Sequence, residues 1–338
     1  LEGTTLAVKL WGDEDLALTC ASEDRYIAVH GFLDNAGTFD MLAPRMLDRG
    51  AVAIACIDMA GHGWSDRRAP YRGMDWVSDI GKTADKLGWD KFSIISHSLG
   101  GMTALAFASL APSRVCRLIV IEALGWMSQD SQGQLEMQRK ALEEPPKGKN
   151  IQTYPTLLAC AERRAAMNMV GTLPLEAAQV LVQRGTKRSE DGYTWASDPA
   201  CLATHREAPT EHYVQAMLAQ IQCPTLLLVA DDGLWKKGAL FGTGLFSTKW
   251  YIAVYLTTFL ATVAHLVTHW FTLPKGYYFP GIKAPSVRGL QFVYNLANRR
   301  LACRPMHVHN MRSGGHHPHL TQPDQVADAA SQWIASPA

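Results

Sequence analysis

The segment Ser96-His97-Ser98-Leu99-Gly100 places a hydroxyl nucleophile among the small residues that a tight turn requires. Phe92-Ser93-Ile94-Ile95 before it reads as a short buried strand, and Gly100 to Ala108 after it as a closely packed helix. A serine on a sharp strand-to-helix turn forms a nucleophile elbow, where strained backbone exposes the hydroxyl at the end of a sheet. Residues two places before and after the serine must be small. Gly100 meets that demand fully, and Ser96 meets it with one hydroxymethyl group in place of the usual glycine. The helix N-terminus then aims free N–H groups and the positive end of its dipole at the reacting centre.

A serine of this kind needs a general base and a carboxylate that orients the base. The base is expected on a loop after the last strand, and Ser313-Gly314-Gly315-His316-His317-Pro318-His319 is the loop of that kind that carries histidines. His316, directly after the two glycines, is the candidate base, with His317 and His319 as weaker choices. The acid is expected after the strand Thr225–Val229, at Asp232 beside Gly233, with Asp231 as its alternative and Glu122 as a third option. Backbone N–H groups of Leu99 and Phe32 are the expected oxyanion hole. His30 is expected to brace the loop before Phe32. No Cys or acidic partner sits near the three loop histidines at ligand spacing, so no metal is expected there.

These residues need a scaffold that gathers them at one edge. Arg25–Val29, Ala51–Ile57, Phe92–Ile95 and Arg117–Ile121 are apolar runs separated by helical stretches, which indicates a mostly parallel, doubly wound α/β sheet. Sites in such sheets gather at the C-terminal strand ends. Residues 1–125 form the first part of this core. From 126 to 221 the pattern turns helical and polar and lacks strand signals, as expected for an inserted cap in which Trp126, Met127, Met167 and Tyr193 are candidate pocket residues. Residues 222–338 return to the core, with a last strand at Met306–Val308 and a helix from Asp324 to Ile334.

Composition agrees with that scaffold and excludes other classes. In 338 residues, 47% are hydrophobic and 19% charged, with a net charge of +1 and no basic stripe, so no nucleic-acid partner is expected. The seven cysteines are dispersed and lack a C-x-x-C pair, as expected of free thiols in a reducing compartment; a cytoplasmic location follows as the expectation.

Taken together, His30-Gly31-Phe32-Leu33-Asp34-Asn35, Asp58 to Ser65, the elbow Ser96–Gly101 and Gly314-Gly315-His316 resemble the α/β-hydrolase superfamily. The His-Gly-x-x-Asp-Asn form and Leu181-Val182-Gln183-Arg184-Gly185-Thr186 resemble most closely its serine hydrolase-like subgroup. The resemblance implies cofactor-free acyl hydrolysis of a small-molecule substrate through a Ser-His-Asp triad. Relatives that form a covalent alkyl intermediate carry Asp at the elbow, where this chain has Ser98.

One stretch departs from that pattern. Residues 234–305 match little of it, and Trp250 to Pro274 contains no Asp, Glu, Lys or Arg. A single membrane crossing there would separate Ser98 from His316, so that reading ranks last. A buried or surface-lying helix touching a membrane interface, a re-entrant pair, and sequence foreign to the domain remain open. Two rivals to a soluble hydrolase follow: a binding protein in which the insertion displaces His316, and a membrane-associated lipase-like enzyme.

Overall fold

Apolar strands buried on both faces build the core of the computed structural model, which describes residues 3–143, 152–167, 173–203, 208–233 and 287–336. The first half contributes β1 (Val8–Gly12), β2 (Arg25–Val29), β3 (Ala53–Ile57), β4 (Phe92–His97) and β5 (Val115–Ile121). A separate hairpin follows, made of β6 (Thr186–Ser189) and β7 (Gly192–Trp195), and then β8 (Thr225–Ala230) and β9 (Met306–Met311). The seven-stranded sheet has the order β1-β3-β2-β4-β5-β8-β9. Its strands pair in parallel except β1, which runs antiparallel to β3 at the edge.

Side-chain alternation divides each strand between two cores. Ile27, Val29, Ile94, Leu118 and Val120 face one layer of helices, while Tyr26, Ala28, Ile95, Ile119 and Ile121 face the other. The first layer includes helices Gly73–Lys86 and Leu99–Leu110; the second includes Pro323–Ala335. The expected doubly wound sheet is therefore present. β1 adds a strand, and its alternating Val8-Lys9-Leu10-Trp11 suits an edge position.

The segment between β5 and β8 holds helices Ser131–Glu143, Leu157–Ala165, Leu175–Gly185 and Glu211–Leu218. The β6–β7 hairpin corrects the expectation that this segment lacks strands. Glu190-Asp191 forms its two-residue turn, and Gly192 follows with φ +132° where a Cβ would strike the Tyr154 carbonyl. The four-residue strands between polar turns carry too few apolar positions to register as strands in the sequence. The apolar stretch 250–274 lies outside the described residues. Among those described, no helix is long and apolar enough to cross a membrane.

Gly100 and Gly101 in the first turn let helix Leu99–Leu110 approach the sheet closely. A Cβ on Gly100 would collide with the carbonyl oxygens of Val29 and His30. In an open helix Gly→Ala gains about 1 kcal/mol, but rigid backbone cannot yield here as a side chain could. The variant Gly100→Ala is therefore expected to lose about 1–3 kcal/mol of stability, as overpacked sites do. Chemical denaturation monitored by circular dichroism measures it, and an unchanged midpoint would refute the close approach.

Candidate active site

β4 ends at His97 and the next helix begins at Leu99, so Ser98 occupies the turn, with φ 50° and ψ −116°. Such a conformation costs a non-glycine residue on the order of 1–3 kcal/mol. Ser98 N–H is held by the Ile121 carbonyl at 2.9 Å. Ser96, in the position where glycine is usual, turns its hydroxyl to donate to the Ile119 carbonyl at 3.1 Å, so the extra atom is satisfied. Ser98 itself remains partly exposed.

His316 reaches this turn from 218 positions away: its Nε2 lies 2.9 Å from Ser98 Oγ. The preceding glycines take the backbone conformations that bring it there, Gly314 at φ 130° and Gly315 at φ 61°. Behind the ring, His316 Nδ1 is 3.4 Å from Glu122 Oε2. Glu122 is 1% exposed, and its other oxygen accepts the Ala230 N–H at 2.7 Å. Its φ of 55° turns the side chain under the histidine at the end of β5.

The carboxylate facing His316 is thus Glu122, the third option from sequence. Asp232 stands at the surface with Oδ1 accepting the Gly315 N–H at 2.8 Å, so it secures the loop and not the ring. Asp231 is also exposed, and its backbone N–H bonds the Met311 carbonyl. Chain order favoured an acid after β8. The signal for Glu122 was available, since it is the lone charge in Leu118-Ile119-Val120-Ile121-Glu122-Ala123-Leu124.

Leu99 is the first residue of the elbow helix, so its N–H has no acceptor within that helix. Phe32 follows the end of β2, the strand paired with β4, in a loop where Leu33 has φ 59°. His30 braces that loop: Nδ1 bonds the Gly31 carbonyl at 2.7 Å, and Nε2 accepts the Met59 N–H at 3.0 Å. Burial lowers its pKa to about 4, which keeps it neutral. Of the candidate pocket residues, Met127 is exposed, while Tyr193 packs with Tyr154, Cys160 and Ala178 inside the inserted segment. Trp126 covers Gly73 and packs on the core. Met167 is half-buried.

A second polar cluster adjoins the serine. His97 donates through Nε2 to the His316 carbonyl at 2.7 Å. Asp34 Oδ1 accepts from Arg164 Nη2 at 2.9 Å, and Asp34 Oδ2 lies 3.4 Å from His317 Nε2. An acidic partner for the loop histidines therefore exists, supplied by the loop after β2 where sequence proximity could not reveal it. Burial alone would raise the Asp34 carboxyl, but Arg164 and His317 hold it well below the usual carboxylate range. Burial and neighbouring imidazoles push His97 and His319 well below the usual histidine range, and burial also lowers His317. His319 Nε2 is 2.8 Å from Thr38 Oγ1.

The motif residues of the sequence meet in space across the inserted segment. Asn35 Nδ2 donates to the Leu181 carbonyl at 3.0 Å, and Arg184 Nε to Asp58 Oδ2 at 2.8 Å. A serine between strand and helix, backed by histidine and a buried carboxylate at the edge of this sheet, defines a class. The chain belongs to the alpha/beta hydrolase fold family, which it matches over residues 27–237.

Its relatives narrow that class. It is 30% identical over 237 residues to a serine hydrolase-like protein of Dictyostelium discoideum, covering 67% of this chain and 63% of that protein. It is 26% identical over 222 residues to the serine hydrolase-like protein of Danio rerio, covering 63% of this chain and 67% of that one. The chain thus spans about two thirds of the length of these curated relatives. A hypothetical protein of Pseudomonas aeruginosa has a similar solved structure, with a TM-score of 0.72 and 26% identity over 99% of this chain and 98% of that one.

Gly233 presses against Glu122, and a Cβ there would overlap the carboxylate. The variant Gly233→Ala is expected to drive Glu122 away from His316 Nδ1 while leaving both residues in the protein. The low-field imidazole proton of His316 in the NMR spectrum should then shift upfield or vanish. Its persistence unchanged would show that the carboxylate is not held by this contact.

Proposed function

We propose that the protein is a serine hydrolase acting on a small carboxylic ester or related acyl compound, with Ser98, His316 and Glu122 as its triad. The 2.9 Å contact between His316 Nε2 and Ser98 Oγ carries this reading, because a base must reach the proton it removes. It also favours an active enzyme over the binding-protein alternative, in which the insertion displaces His316.

In the first half-reaction Ser98 Oγ bonds to the substrate carbonyl carbon as His316 Nε2 takes the hydroxyl proton. Glu122 faces the imidazolium that results, in a buried position where opposite charge is weakly screened. The backbone N–H groups of Leu99 and Phe32 donate to the developing oxyanion, each worth about 3 kcal/mol of transition-state binding. His316 returns its proton to the departing alcohol, leaving an acyl group on Ser98. Water then attacks by the same route, with His316 again as base, and releases the acid. Residues 126–221 act as a cap, tied down by Arg164 on Asp34 and Arg184 on Asp58.

Hydrolysis of p-nitrophenyl acetate tests the assignment. Ser98→Ala is expected to lower kcat by at least about a thousandfold, and Glu122→Gln by about a thousand- to ten-thousandfold, since an orienting carboxylate has that leverage on its histidine. Asp232→Asn should stay within about tenfold of the parent, because it touches the loop and not the ring. A fluorophosphonate reagent should label Ser98 alone. Full activity in Ser98→Ala would overturn the proposal, and a collapse in Asp232→Asn with an active Glu122→Gln would return the acid to Asp232.

A further inference from the structure

We propose that Asp34, His97 and His317 form a site for a divalent transition-metal ion of the zinc class beside the elbow serine. The three side chains are buried, and their nearest ligand atoms all lie within 4.8 Å of one another. Asp34 Oδ2 is the common point, 3.4 Å from His317 Nε2 and 3.9 Å from His97 Nδ1.

The hydrogen bonding of His97 assigns its two ring nitrogens different roles. Its Nε2 faces the His316 carbonyl, which can only accept, so Nε2 carries the hydrogen. The neutral ring then presents a lone pair at Nδ1. That atom is buried and has no hydrogen-bond partner among the described residues. Asp34 Oδ2 lies 3.9 Å from it, so two electron-rich atoms face each other in a buried position. A cation between them would turn that opposition into attraction on both sides.

Two imidazole nitrogens and a carboxylate oxygen are a donor set suited to zinc, with a fourth position left for water. The surroundings match as well. A ligating histidine ordinarily donates its other N–H to a carbonyl or carboxylate, as His97 does to His316. A ligating carboxylate is ordinarily held through its second oxygen, as Arg164 holds Asp34 Oδ1 at 2.9 Å. Tetrahedral ligands at 2.0–2.1 Å lie about 3.4 Å apart, so the Asp34–His317 pair already fits at 3.4 Å, and the wider gaps, up to 4.8 Å, must close on binding. Arg164 Nη2 also lies 3.4 Å from His317 Nε2, so an ion must displace that contact and act against the Arg164 charge, which makes the site reversible and open to chelators.

His97 precedes Ser98 and His317 follows His316, so a bound ion would set the position of both reacting side chains. That consequence rests on the hydrolase reading, whereas the binding measurements below do not require it. Failure of one can therefore be told from failure of the other.

The test uses the full chain, stripped with EDTA and titrated with Zn²⁺ against a chromophoric chelator, with Co²⁺ absorption as a second readout. One ion per chain is expected, with visible Co²⁺ bands of nitrogen–oxygen ligation. His317→Gln and Asp34→Asn should each weaken binding at least tenfold, and thermal melting establishes that each variant is folded. If Asp34→Asn does not fold after losing its ion pair, His317→Gln alone decides. His307→Gln with His309→Gln, on β9, removes a pair that could bind metal adventitiously and should leave the affinity unchanged. No binding to the parent protein would overturn the site, as would binding that survives His317→Gln or vanishes with the β9 pair.

Discussion

Asp34, Asp58 and Glu122 are carboxylates exposed by 3% or less, placed just beyond the C-terminal ends of β2, β3 and β5. A buried ion without partners costs several kcal/mol, against a total stability of about 5–15 kcal/mol for a domain. Each of the three must therefore be met by donors, and those donors come from distant parts of the chain. Asp58 takes the N–H groups of Ala36 and Trp64 together with Arg184. Asp34 takes Arg164 and His317, and Glu122 takes the Ala230 N–H and His316. The same requirement that makes the strand ends affordable in energy also gathers the residues capable of chemistry.

This requirement also joins the inserted segment to the core. Both of its anchoring arginines reach from that segment's helices into buried strand-end sites, where their removal would leave a carboxylate uncompensated. Apolar packing works alongside them: Leu173, Ala177 and Leu181 cluster with Leu320, four residues beyond His316. The segment is therefore bonded to the loop that carries the base as well as to the sheet. A shift of the segment would disturb Arg164, then Asp34, then His317, along contacts of 2.9 and 3.4 Å.

How much of this could be read from sequence depends on the range of the signal. The strands β2 to β5 and β8 are apolar runs, and burial on both faces made them visible. The elbow was legible because turn and helix chemistry act within a few residues, and Gly314-Gly315-His316 for the same reason. Glu122 ranked below Asp232 because their difference is tertiary: one lies under an imidazole and the other at the surface, a distinction made by the Glu122 φ of 55° and by Gly233 packing. Asp34 stands in a legible motif, but its partner is not local. Arg164 stands 130 positions away, and no local pattern points from one to the other. The β6–β7 hairpin is not legible because its strands are four residues long and β6 carries no apolar residue.

The long separation between β8 and β9 raises the question of what fixes His316. Among the described residues, the answer lies in the sheet. β9 pairs with β8 in parallel register from Thr225 opposite Met306 to Ala230 opposite Met311. That register fixes where the chain leaves β9, and Asp232, one turn past β8, clamps Gly315 from the neighbouring strand end. Helix Val287–Ala302 is tied independently, through Arg299 to Glu211, Ser128 and the Leu124 carbonyl. Strand pairing thus sets the path to His316 from one side, and the His97 bond to its carbonyl sets it from the other. The position of the base follows from contacts at both ends of its loop, so its reach to Ser98 does not depend on the length of chain inserted between the two strands.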